Sequence, residues 1–174
     1  NSDGEWLVLP DIIKYDIDKY KSIVSINQNA LFFLTNDKAS RYRIIKIDLS
    51  ADKPDLSEHA WQTIIPEFED RVIEDFLIVN DKLFVLTLKD VINHLDVYDL
   101  NGNWLKSIEM PDKGTIFSMN SAPESNSLCI GFTSYKIDKI IYKIDTQSLN
   151  STTWLSITDQ IHPEDIIVEQ VFAT

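Results

Sequence analysis

The stretch Asn29-Ala-Leu-Phe-Phe-Leu-Thr35, NALFFLT, decides how the chain is read, because it returns. Asp81–Thr87 reads DKLFVLT and Asn126–Phe132 reads NSLCIGF. Each opens with Asn or Asp, places one small or polar residue next, and then runs from Leu into a mostly apolar stretch. From Asn29 to Asp81 is 52 residues, and from Asp81 to Asn126 is 45. Leu31–Leu34 and Leu83–Leu86 are apolar at every position rather than at alternate ones. A strand with one wet face alternates, so these runs require cover on both faces.

Other features fall into step. Strand-like runs end on Asp48, Asp99 and Asp145, in KIDL, VYDL and KIDT. After each, a Trp opens a further short run: Trp61 in WQTIIP, Trp104 in WLKSIEMP and Trp154 in WLSIT. Before each quoted stretch lies a first run, YKSIVSI from Tyr20, RVIEDFLIV from Arg71 and TIFSMNSA from Thr115. Each unit therefore reads as four strands joined by short turns, and such self-similarity marks a repeat architecture. In this reading the three Asp residues cap turns. Asp99-Leu-Asn-Gly102 has Asp first and Gly last, as a type I turn prefers.

Four strands per unit at this period predict an all-β fold, a partial β-propeller. It comprises three four-stranded antiparallel blades plus one strand of a preceding blade. The blade units span approximately 20–66, 71–111 and 115–156. Flanking runs at 5–10 (EWLVLP) and 165–173 (DIIVEQVFA) read as the last strand of one blade and the first of a further element. Known propellers close with at least about four blades. The expectation is that 1–174 is a fragment of one propeller domain. Its two uncovered blade faces lead the isolated chain to self-associate.

The totals bound the partners. The 174 residues suit one domain, and 44% hydrophobic with 25% charged is the composition of a folded chain. A net charge of −12 repels phosphate backbones and anionic lipid, which argues against nucleic acid and membrane partners. No apolar run approaches the length of a membrane span. NSDGEWLVLP lacks the basic region and apolar stretch of a signal peptide. Cys129 is the only cysteine, which fits a reducing, cytoplasmic setting. In that setting the sequon Asn150-Ser-Thr152 has no use.

Three segments resemble the prolyl oligopeptidase (prolyl endopeptidase) family. LTNDKASRYRIIKIDL, Leu34–Leu49, resembles the family's Thr-Asn pair leading into a Tyr-Arg strand that closes on Ile-Asp. LKDVINHLDVYDLNG, Leu88–Gly102, resembles its Asp-Val strand with an Asp-Leu turn. GFTSYKIDKIIYKID, Gly131–Asp145, resembles its Phe-Thr-Ser motif and Ile-Tyr strand. The similarity covers roughly Tyr15 to Val171, in order.

The resemblance implies a cytosolic serine peptidase that cuts short peptides after proline. In that family an α/β-hydrolase domain carries the chemistry, and a seven-bladed propeller covers the active site and admits only small peptides. This chain would be the C-terminal part of that propeller: its last three blades and a strand of the one before. The partners implied are the hydrolase domain of the same parent chain, the remaining blades, and short peptides reached through the parent. The competing reading is a free-standing propeller that serves as an interaction scaffold, since fold does not fix function.

No site residue is carried over. Gly4, Gly102, Gly114 and Gly131 offer no Gly-x-Ser-x-Gly elbow for a nucleophile. The expectation is therefore no catalytic, cofactor-binding or metal residue within the chain. Cys129, inside SLCIGF, reads as a small buried hydrophobe. His59 and His162 lie in polar loops. His94 alternates onto one side of its strand with Asp96 and Tyr98, too few ligands for a metal. The acidic run Pro66–Asp75 reads as a solvated turn between blades. The repeated Trp residues read as covers for the blade cores.

Overall fold

The computed structural model describes residues 20–27, 29–51, 54–55, 57–122, 125–157, 169 and 171. Among these, twelve strands follow in chain order. They are β1 Tyr20–Asn27, β2 Ala30–Thr35, β3 Arg43–Asp48 and β4 Gln62–Ile65; β5 Val72–Val79, β6 Lys82–Lys89, β7 Ile92–Asp99 and β8 Trp104–Ile108; and β9 Gly114–Asn120, β10 Ser127–Ser134, β11 Lys139–Asp145 and β12 Ser151–Ile157. Each set of four forms one sheet with its strands side by side in sequence order. This all-β, up-and-down arrangement is that of a partial β-propeller, as the sequence predicts. The predicted strands at 5–10 and 165–173 lie outside the described residues, apart from Glu169 and Val171. Among the described residues no helix is long and apolar enough to cross a membrane.

The chain divides into two compact units within β5, one ending at Phe76 and the other beginning at Leu77. In the first unit β2 is buried along its whole length. Register pairs Leu31 with Ile47 and Phe33 with Ile45. These four form a core cluster against which Leu49 and Trp61 pack. Phe32 and Leu34 alternate to the opposite side and are equally buried. The unbroken apolar run thus has cover on both faces.

In the second unit the middle and last sheets share one core. Phe84, Leu95 and Val97 of β6 and β7 meet Leu128, Ile130 and Phe132 of β10. Burying a side chain of this size contributes roughly 1.5–3 kcal/mol. On the other side of β6, Leu83, Val85 and Thr87 are buried too. β10 differs, because Cys129 is only half-buried and Phe117, on β9 beside it, is 47% exposed. The Phe117 ring lies where a side chain at Gly131 would stand. Cys129 is therefore less buried than its apolar surroundings in the sequence imply.

Turns set the registers. Asn80–Asp81 and Asp90–Val91 are two-residue loops with φ of 48° and 57°, and of 50° and 64°. Positive φ at both positions is the hairpin geometry that matches strand twist. Asn and Asp tolerate it, whereas a β-branched Val does not. In Asp99–Gly102 the Gly102 N–H donates to the Asp99 carbonyl at 3.1 Å, and Gly102 takes φ 85°. Glycine is required there.

Candidate functional site

In an up-and-down sheet the turns after the first and third strands share one end. The turn after the second strand and the link to the next sheet share the other. The two ends have different chemistry.

At the first end the repeated Asp residues close the turns after β3, β7 and β11. Asp48 Oδ1 accepts from the Ser50 N–H at 2.8 Å. Asp99 Oδ1 accepts from the Asn101 and Asn103 N–H groups at 2.8 and 2.9 Å, and its Oδ2 from Asn103 Nδ2 at 2.7 Å. Asp145 Oδ1 accepts from the Ser148 N–H and hydroxyl, each at 2.8 Å. Hydrogen bonds from the Ser50 side chain, the Asn103 side chain and the Ser148 backbone chiefly hold these carboxyls below the ordinary aspartate range. In the second unit Asn80 Nδ2 donates to Asn126 Oδ1 at 2.7 Å and to Thr146 Oγ1 at 2.9 Å, tying its two sheets together. This end is architecture.

A prediction follows from the carboxyls. Their folded-state pKa values are depressed, so the stabilisation is present at neutral pH and is lost as pH falls through those values. Thermal melts should show the midpoint dropping as pH goes from about 5 to about 3. Asp99→Asn, which keeps an acceptor but cannot ionise, should show a smaller drop over that window. An equal drop would remove Asp99 from the account.

The other end of the sheets is built differently in each unit. In the first unit Glu67 Oε1 accepts from the Ser40 hydroxyl at 2.9 Å and the Arg41 N–H at 2.6 Å. The Arg41 backbone bond chiefly lowers the Glu67 pKa. Arg43 lies 3.7 Å from Asp37, and the Arg71 guanidinium sits 4.4 Å from the Phe68 ring centroid. The acidic run from Pro66 is therefore partly engaged, rather than simply solvated. In the second unit a cleft of roughly 720 Å³ is walled by Asp90–Ile92, Lys113–Thr115 and Thr133–Tyr135, with Glu169 and Val171. Val91 and Tyr135 stand at its lip, 83% and 81% exposed. Ser134 Oγ donates to Asp112 Oδ2 at 2.9 Å and accepts from the Lys136 and Ile137 N–H groups at 3.1 and 3.2 Å. Its hydroxyl holds the loop. The walls offer hydroxyls, both signs of charge, the Tyr135 ring and three aliphatic side chains, those of Val91, Ile92 and Val171.

The residues singled out in the sequence do not converge. His59 sits in the short 3₁₀ turn Glu58–Ala60 and is exposed, as is His94; His162 lies outside the described residues. Asp96 is 5% exposed and takes the Ser107 hydroxyl hydrogen, a buried carboxylate that the HLD triplet did not announce. Among the described residues no three His, Cys, Asp or Glu side chains gather as metal ligands. Trp61 packs on its core, but Trp104 and Trp154 are 60% and 70% exposed, so among the described Trp residues the core-covering role holds for Trp61; Trp6 lies outside the described residues. The cleft has no sequence signal, since nothing in KDVI marks Val91 for a left-handed turn.

A family described as prolyl oligopeptidase, N-terminal β-propeller domain, matches residues 3–156. The chain belongs to that family. The prolyl endopeptidase of Dictyostelium discoideum is 31% identical over 134 residues, which cover 74% of this chain and 17% of the relative. That of Elizabethkingia meningoseptica is 23% identical over 157 residues, covering 90% and 21%. The chain thus spans about a fifth of the length of these relatives. A structure from a mechanistic study of two prolyl endopeptidases superposes with a TM-score of 0.78 at 26% identity, over 86% of this chain and 22% of that one. Apo prolyl oligopeptidase B from Galerina marginata, 18% identical, shares the fold with a TM-score of 0.70 over 82% of this chain and 20% of its own. The sheets described above are those of the propeller of prolyl oligopeptidase-type peptidases.

Proposed function

We propose that the chain is the non-catalytic, substrate-gating part of a serine peptidase that cleaves short peptides after proline. Its partner is an α/β-hydrolase domain of the same parent chain, and its compartment is the cytoplasm. The family match over residues 3–156 carries this reading. A gate that sorts by size must be stiff, and β2 and β6, buried on both faces, supply stiffness. Exclusion then acts before chemistry, by denying folded or long chains a path to the nucleophile. It needs no reactive group of its own.

The test compares the full-length parent with a version lacking Tyr20–Ile157. The intact protein should release the chromophore from a Gly-Pro anilide and leave long unfolded casein uncut. The shortened protein should lose that discrimination. An intact parent that ignores the Gly-Pro anilide, or digests casein as readily, contradicts the proposal. The 174-residue chain alone should hydrolyse neither.

A further inference from the structure

Eight large apolar side chains stand exposed among the described residues, and the three most exposed gather at one place. Val91, Tyr135 and Val171, at 83%, 81% and 85%, all line the cleft of the second unit. They come from separate parts of the chain: the β6–β7 hairpin, the β10–β11 loop and the segment beyond β12. Scattered apolar residues need no account, but a convergent group marks a contact surface. Val91 is also strained. It holds φ 64° at the second position of its hairpin, a conformation costly for a β-branched residue and open to glycine. Backbone strain that a fold retains gathers at working sites. Valine serves this hairpin poorly, so its use lies in what the side chain reaches.

Resting on the function proposed above, we infer that this cleft is where the hydrolase domain of the parent chain docks, with Val91 and Tyr135 as its apolar contacts. Glu169 and Val171 decide the occupant. They follow the last strand and already lie in the cleft walls. Polypeptide continuing from Val171 therefore sets out from this surface, and not from the end closed by the Asp turns. A domain tethered there meets the cleft at high effective concentration. Asp90, Lys113 and Glu169 share the walls with the apolar groups. Such a mixture of polar and apolar groups is the character of contacts between domains of one chain.

Amide hydrogen exchange compares the full-length parent with the 174-residue chain. Residues 90–92 and 134–137 should exchange at least about tenfold more slowly in the parent, while the 99–102 turn at the opposite end should not change. Val91→Gly gives a signature that a structural role would not. It should raise the melting midpoint of the 174-residue chain by about 2–4 °C as the hairpin relaxes. In the parent it should shrink the slowing at both loops. Slowing at 99–102 equal to or greater than that at the cleft overturns the inference, as does a lower midpoint for Val91→Gly. A parent that cleaves the Gly-Pro anilide yet leaves the cleft amides unprotected overturns this inference alone. A parent without that activity overturns the proposed function and the docking together.

Discussion

Phe132→Ala is expected to destabilise the second unit by about 3–5 kcal/mol, the range for removing a buried phenylalanine ring. Phe132 is fully buried where the sheet of β9–β12 meets that of β5–β8. Its ring cannot be replaced by relaxation, because both flanking layers are hydrogen-bonded sheets that do not close over a void. Urea denaturation should show a lower midpoint with an unchanged slope. Trp104→Ala is the control, for the larger side chain there is 60% exposed and should cost less than about 1 kcal/mol. If the two substitutions proved equal, the shared core would not be the source of stability.

Gly114→Ala is the second large effect, and it adds atoms rather than removing them. Gly114 begins β9 and pairs with Ser134 of β10. A methyl group there would stand well inside contact distance of the Thr133 carbonyl oxygen, the Phe132 ring and Ser134 Cβ. The carbonyl belongs to the sheet backbone, so the strand must move. A cost of about 1–3 kcal/mol is expected, as for other overpacked sites. Gly131→Ala provides the contrast. There the nearest atoms are the Phe117 ring and the Ser118 hydroxyl, side-chain groups that can turn away, and Phe117 is half exposed already. Melting curves should place the Gly114 variant clearly below the Gly131 variant. The reverse order would contradict the packing described for β9 and β10.

These two glycines show what the sequence could and could not convey. The sheets were legible because β2 and β6 are apolar at consecutive positions, a pattern that only two-sided burial explains. The Asp turns were legible because aspartate caps by local hydrogen bonds, which follow from spacing alone. What surrounds a side chain at longer range was not. Trp61, Trp104 and Trp154 occupy similar places in similar runs, yet one packs and two face solvent. Size and apolarity say that a group can be buried, while only the neighbouring surface decides whether it is. NSLCIGF resembles NALFFLT in letters, but Gly131 gives way to Phe117 and the far face of β10 stays partly open. The cleft was beyond reach for a sharper reason. Val91 is held at φ 64°, where propensity argues against valine, and strain of that kind is imposed by the hairpin rather than announced by its residues.

The function proposed for this propeller chain is to serve a peptidase. The most direct test is to read the coding sequence that follows Thr174. A Gly-x-Ser-x-Gly elbow with a later Asp and His is the predicted result, and it would supply the nucleophile and its partners. A continuation made solely of further four-stranded units would contradict the claim and leave the scaffold reading in its place.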